Sequence, residues 1–210
     1  MKNLTIPYIQ QTGNTFPFFN LSKPIAIDIM PWQHEGDKPT VYVAMAHDDA
    51  HIYLQYTVQE NSIIAKTTTN NGPVWQDSCV ELFIMPEADG IFYNFEFNCI
   101  GAKLLYAGKT RNERTPADDA TIDKIITEST LGHEPFEEKK GYFDWTLTVV
   151  IPLSCFFQHT IKTLKGKTSK GNFYKCGDGL SQPHYLAWNN IETPNPDFHT
   201  PQYFGEIMFE

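Results

Sequence analysis

The chain is expected to fold as an all-β, antiparallel β-sandwich of jelly-roll type with little helix. Three observations predict this. Hydrophobicity alternates with a period of two in one segment after another. Pro and Gly separate these segments instead of gathering into a linker. Helical periodicity is scarce throughout the 210 residues. About ten short strands without an internal repeat read as one domain over residues 1–210.

Residues 40–46 run through His47-Asp48-Asp49-Ala50-His51 into 52–58, where Ile52, Leu54, Tyr56 and Val58 alternate with Tyr53, Gln55 and Thr57. That pattern predicts a hairpin. Residues 79–85 are apolar on both faces except at Glu81, the signature of a central strand covered on both sides. In the next strand Tyr93, Phe95, Phe97 and Cys99 form one face, and Asn94, Glu96 and Asn98 the other. Further strands are expected near 103–106, 122–128, 185–188 and 205–209. Another spans Phe143, Trp145, Leu147, Val149 and Ile151, which places Trp145 in the core. Trp32 sits in an edge turn after Pro31 with a structural role. Ser154 is expected to cap a single turn running into Phe157. Residues 111–120 and 165–171 read as exposed loops. Cys79, Cys99, Cys155 and Cys176 show no zinc-like spacing and read as buried thiols, with a Cys79–Cys99 bridge conceivable if their strands are neighbours.

A net charge of −9 with only two arginines, Arg111 and Arg114, argues against nucleic acid and against an anionic membrane surface. No stretch approaches the roughly 20 apolar residues of a membrane-spanning helix. The first eleven residues contain one Lys and no apolar segment, so no signal peptide is expected. Localisation stays open between the cytoplasm and secretion after loss of a leader.

The run Pro73-Val74-Trp75-Gln76-Asp77-Ser78-Cys79-Val80-Glu81 carries the clearest chemical signal. Trp75 lies in a polar turn and offers a flat face; Glu81 is a carboxyl held in a strand. Together they suit a sugar, with a ring platform and an acceptor for hydroxyls. Glu96, on the neighbouring strand, could join Glu81 as a hydrolytic acid/base pair, as a second hydroxyl acceptor or as a calcium ligand. Trp188 ends a strand before Asn189 and Asn190, and the loop after it carries three prolines within residues 194–201. Such a stiff loop next to a Trp is a place for binding groups. His199 beside Asp197 reads as a loop-ordering group, because no nucleophile motif accompanies it.

These blocks resemble carbohydrate-binding module family 9. The likeness is carried by Lys23 to Asp28 with Pro31-Trp32, by residues 75–84, by Tyr93-Asn94-Phe95-Glu96-Phe97-Asn98 with Gly101, by Trp145-Thr146 with Val150-Ile151-Pro152, and by Phe204-Gly205-Glu206-Ile207. The resemblance implies a sandwich that clamps a terminal mono- or oligosaccharide between Trp75 and Trp188. By that resemblance Glu81 and Asn98 would contact its hydroxyls, with Glu96 and Asn189 as further candidates from their own positions, and the family often carries structural calcium. It also implies no catalysis and an association with glycoside hydrolases acting on the same glycan. The family's site has an Arg two residues before the Asn; here that position is Glu96, which implies an altered sugar preference or a lost one. The alternatives are a hydrolase using Glu81 and Glu96, and a structural domain that has kept the fold without the ligand.

Overall fold

The computed structural model describes residues 1–10, 21–33 and 36–210. Its strands are β1 (Asn3–Ile6), β2 (Ile25–Ala26), β3 (Thr40–His47), β4 (His51–Ala65), β5 (Cys79–Met85), β6 (Phe92–Asn98), β7 (Lys103–Gly108), β8 (Arg114–Pro116), β9 (Ile126–Ser129), β10 (Phe136–Pro152), β11 (Thr168–Cys176), β12 (Tyr185–Ala187) and β13 (Gly205–Phe209). One sheet has the order β1-β13-β11-β5-β6-β7-β8, with β12 sharing the β13 edge of β11; the other has the order β2-β3-β4-β10-β9. All pairings are antiparallel except β1 with β13. This is the expected sandwich.

The period of two explains the packing. On β5, Val80, Leu82 and Ile84 face the second sheet, and on β6 so do Tyr93, Phe95 and Phe97. They meet Leu54, Tyr56, Val58, Trp145, Leu147 and Val149 in one core, each side chain at most 1% exposed. Burial of each such side chain stabilises by roughly 1.5–3 kcal/mol. The opposite face of β5 is not open to water. Cys79 and Phe83 lie in a second apolar cluster with Trp32, Phe92, Tyr174, Phe198 and Phe204. A layer of loops therefore covers the outer face of the larger sheet, and β5 is buried on both sides as its composition predicts.

Several elements differ from expectation. Residues 122–128 do not form one strand: Asp118 accepts a hydrogen bond from the Thr121 amide and caps a short helix, α1 (Asp119–Ile122), before β9 begins. The turn Leu153–Cys155 forms after Pro152 without a side-chain cap, so Ser154 is not its cap. The supposed loop at 111–120 contains edge strand β8, and the one at 165–171 holds the start of β11. Polar and glycine residues hid β11 from periodicity. Cys79 and Cys99 lie on opposite faces of the sheet, Cys79 in the outer cluster and Cys99 in the inter-sheet core, so they cannot bridge. All four cysteines are buried. Among the described residues no helix is long and apolar enough to cross a membrane.

The core also holds a charge. Lys175 on β11 points between the sheets, where its Nζ lies 2.9 Å from Glu60 Oε2 and both side chains are at most 2% exposed. Trp145 Nε1 donates to Glu60 Oε1 at 2.8 Å, and His184 Nε2 lies 2.8 Å from the Lys175 ammonium. Removing one member of such a buried pair strands the other. Lys175→Met is expected to lower unfolding stability by about 3–5 kcal/mol. Lys175→Met combined with Glu60→Gln should lose clearly less, measured by urea denaturation; equal losses would show that the pair is not coupled.

Candidate functional site

Three adjacent strands, β11, β5 and β6, present a grid of side chains on the outer face of the larger sheet. Tyr174, Glu81 and Glu96 are cross-strand partners in one row, and Cys176, Cys79 and Asn98 in the next. Above the first row opens a cavity lined by Trp75, Glu81, Glu96, Arg111, Arg114, Cys176, Asp178, Tyr185, Pro196, Asp197, Phe198 and His199.

The floor is acidic and dry. Glu81 is 2% exposed and Glu96 3%. Burial drives the Glu81 carboxyl well above its ordinary range, with Cys176 and Glu96 beside it adding to the effect. The Cys176 thiol donates to Glu81 Oε1 at 3.1 Å. Glu96 accepts from Asn94 Nδ2 at 2.7 Å. Burial pushes it up to about 7, while Asn94, Arg114 and Arg111 pull the other way. Two carboxyls directly opposed on neighbouring strands and shielded from water do not both ionise readily at neutral pH.

The walls are aromatic and cationic. Trp75 sits in the single turn Val74–Gln76, whose Val74 is buried while the indole is half-buried. The Asp178 amide donates to the Trp75 carbonyl, and the Gly179 amide to that of Gln76, so the turn is stitched to the end of β11. Tyr185, also half-buried, lines the cavity beside Asp178. Phe198 stacks flat on Tyr174, with centroids 4.0 Å apart and planes 2° from parallel. Arg114 on β8 stacks over Tyr106 and donates from Nη1 to His199 Nε2 at 2.6 Å. With Nε2 accepting, the Nδ1 proton faces Asp197 Oδ1 at 3.3 Å. Burial, with Arg114 second, lowers His199 to about 4 and keeps it neutral. His199 thus orders the loop, as its sequence context suggests. Arg111 Nη1 lies 3.9 Å from Asp197 Oδ1.

Of the six residues expected at the site, three meet there: Trp75, Glu81 and Glu96. Trp188 does not. It is 4% exposed, packs edge-on against Phe173 and covers Gly205, where a Cβ would come within 2.5 Å of its ring. Strand alternation is the reason: on β12 Tyr185 and Ala187 face outward, so Leu186 and Trp188 face the core. Asn98 is fully buried and acts as a brace. Its amide donates to Asp77 Oδ2 and the Thr67 carbonyl and accepts from the Ala102 amide, while Asp77 accepts from the Lys66 and Thr67 amides. It thereby holds the segment that carries Trp75. Asn189 is likewise structural, joining the Lys2 amide to the Tyr203 carbonyl.

Sequence reasoning missed Arg111, Arg114, Tyr185 and Asp178. The arginines had a signal, being the chain's only two and three residues apart. They reach the cavity from β8 and the turn before it, two strands from β6. Gly108 permits this, because a Cβ there would come within 2.0 Å of the Glu113 carbonyl and push β8 outward. Among the described residues Cys79, Glu81 and Cys176 bring one ligand atom each within 4.8 Å of one another; two of these donors are sulfur, whereas calcium takes oxygen.

A β-sandwich with a cavity walled by aromatic rings and floored by carboxyls on one sheet face suits a carbohydrate-binding module. The family comparison agrees: the chain belongs to carbohydrate-binding family 9, whose model matches residues 18–209. Among solved structures it is similar to a candidate carbohydrate-binding protein from Bacteroides uniformis ATCC 8492, with 39% identity over 100% of this chain and 99% of that one and a TM-score of 0.94. It also shares its fold with a family 9 module from Caldicellulosiruptor kristjanssonii. The cellotriose complex of that module is 17% identical, covering 100% of this chain and 94% of that one, with a TM-score of 0.62. The glucose complex is 18% identical over 100% and 96%, with a TM-score of 0.60. No curated protein matches the chain.

The titration of Glu96 gives a test of this electrostatic picture. Between pH 4.5 and 7 the folded chain keeps a proton on Glu96 that the unfolded chain has lost. Its contribution to stability is therefore full below pH 4.5 and falls as pH rises to 7. Gln at this position keeps the Asn94 hydrogen bond without the charge. The stability of Glu96→Gln relative to the parent should grow by about 2–4 kcal/mol from pH 4.5 to 7.5, read from urea midpoints. A difference that stays flat with pH would mean that Glu81, Asp178, Arg111 and Arg114 around it leave Glu96 at an ordinary carboxyl value.

Proposed function

We propose that residues 1–210 form a non-catalytic module that holds a terminal sugar ring in this cavity. Trp75 is its platform, Tyr185 the second half-buried ring of the wall, and Glu81, Glu96 and Asp178 its hydroxyl acceptors. The observation that carries this reading is the convergence of two half-buried aromatic rings, two buried carboxyls and the chain's only two arginines on one cavity. The C–H face of a pyranose stacks on indole. An ionised Glu96 makes charge-assisted hydrogen bonds to hydroxyls, and a protonated Glu81 both donates and accepts. Arg111 and Arg114 donate to ring or glycosidic oxygens.

Strand geometry argues against hydrolysis. Glu81 and Glu96 are directly opposed on neighbouring strands of one sheet, so both approach a ligand from the same side. Glycosidases place their two carboxyls so that they flank the scissile bond. A module of this kind would serve enzymes that degrade the glycan it holds.

One small ring in an open site should bind with a dissociation constant of roughly micromolar to millimolar. Glucose and cello-oligosaccharides are the first ligands to try, since the Caldicellulosiruptor modules hold glucose and cellotriose. Calorimetry should show saturable heat that Trp75→Ala weakens at least about tenfold, a loss of about 1.4 kcal/mol. Unchanged heat in Trp75→Ala would sink the platform role, and turnover of aryl glycosides by the parent chain would sink the non-catalytic reading.

A further inference from the structure

The floor of the cavity carries a second constellation, which shares only Glu81 with the proposed sugar site. Cys79 and Cys176 are cross-strand partners on β5 and β11, and Glu81 is two residues along β5 on the same face. One ligand atom from each, two Sγ and one carboxylate oxygen, lies within 4.8 Å of the others. Cys176 Sγ is 3.1 Å from Glu81 Oε1. Cys79 is fully buried beneath, whereas Cys176 and Glu81 line the cavity and give the group an access route.

We propose that Cys79, Cys176 and Glu81 form a binding site for a soft divalent cation of the zinc class, with its fourth position open to the cavity. Two sulfurs and one oxygen leave one corner of a tetrahedron free, the arrangement of a zinc site that keeps an exchangeable ligand. Bond lengths of about 2.3 Å to sulfur and 2.0–2.2 Å to oxygen put donor atoms roughly 3.4–3.8 Å apart, which side-chain rotations within this cluster reach. Sulfur selects zinc over calcium or magnesium. Two thiolates and a carboxylate leave a bound dication with one excess negative charge, and Arg111 and Arg114 line the same cavity to offset it. The strands hold the donors in fixed register, so little ordering remains for the metal to impose. A disulfide between the two cysteines would need an oxidant and would take away the thiol donor that Glu81 now has.

The test uses the intact, metal-free chain kept reduced with a phosphine. Titration with Co(II) followed by visible absorption should give one equivalent with sulfur-to-cobalt charge transfer and tetrahedral d–d bands. Calorimetry with Zn(II) should give one site per chain. Cys79→Ser and Cys176→Ser should each weaken zinc at least tenfold, with melting curves confirming that the variants fold. If a variant does not fold, the cobalt spectrum of the parent chain decides alone. Absence of the charge-transfer band in folded protein whose four thiols titrate after unfolding overturns the proposal. So does zinc binding by both variants as tight as the parent's, or a Cys79–Cys176 disulfide that persists under the reductant. The measurement needs no sugar, so a chain that bound no carbohydrate would still be expected to take the metal.

Discussion

A strand covered on both faces that nevertheless carries a carboxyl is the constraint on which this molecule turns. β5 has the inter-sheet core below it and a layer of loops above it, and Glu81 stands at 2% exposure on its upper side. Burying a lone carboxylate costs several kcal/mol. The surroundings answer that cost in three ways: the carboxyl is driven toward its protonated form, the Cys176 thiol donates to it, and the loop layer leaves a cavity above it. Glu96 repeats the problem on the adjacent strand and is met by Asn94 and by the field of two arginines. Polar atoms in the floor of an otherwise apolar sheet are ready to exchange their partners for those of a ligand.

The loop layer has to be rigid for such a cavity to persist. Phe198 lies flat on Tyr174, Trp32 Nε1 donates to the Thr193 carbonyl at 2.8 Å, and the Arg114-His199-Asp197 chain ties the same loop to β8. Prolines at 194, 196 and 201 stiffen the chain between these anchors. On the other wall, Asn98 and Asp77 brace the turn that presents Trp75. Walls fixed before the ligand arrives spare the ordering cost that weakens binding by mobile loops. The residues that make the cavity are therefore fewer than those that hold it open. Asn98 and Asn189 belong to the second group.

The cavity also draws side chains from positions distant in the sequence. A glutamate stands where the family resemblance calls for an arginine, and taken alone that exchange removes a donor. In three dimensions two guanidiniums line the cavity from β8 and the turn before it, where Gly108 allows the close β7–β8 approach.

The sequence by itself determined the sandwich, the two-sided burial of β5 and the core role of Trp145, and it singled out Trp75, Glu81 and Glu96, which line one cavity. Each follows from a local rule: period-two alternation, or the cost of a charge in an apolar strand. Which residues join them was decided only by the tertiary structure. Whether Trp188 or Tyr185 lines the cavity depends on the phase of a three-residue strand, and a shift of one residue reverses every side chain. That phase is set by the pairing of β12 with β11, a strand whose polar sequence concealed it. Arg111 and Arg114 reach the cavity through an edge hairpin, and Cys176 reaches Glu81 through β-pairing across nearly a hundred residues of chain. Local patterns specify which face of an element is apolar, but the meeting of distant elements follows from how whole sheets bury those faces together.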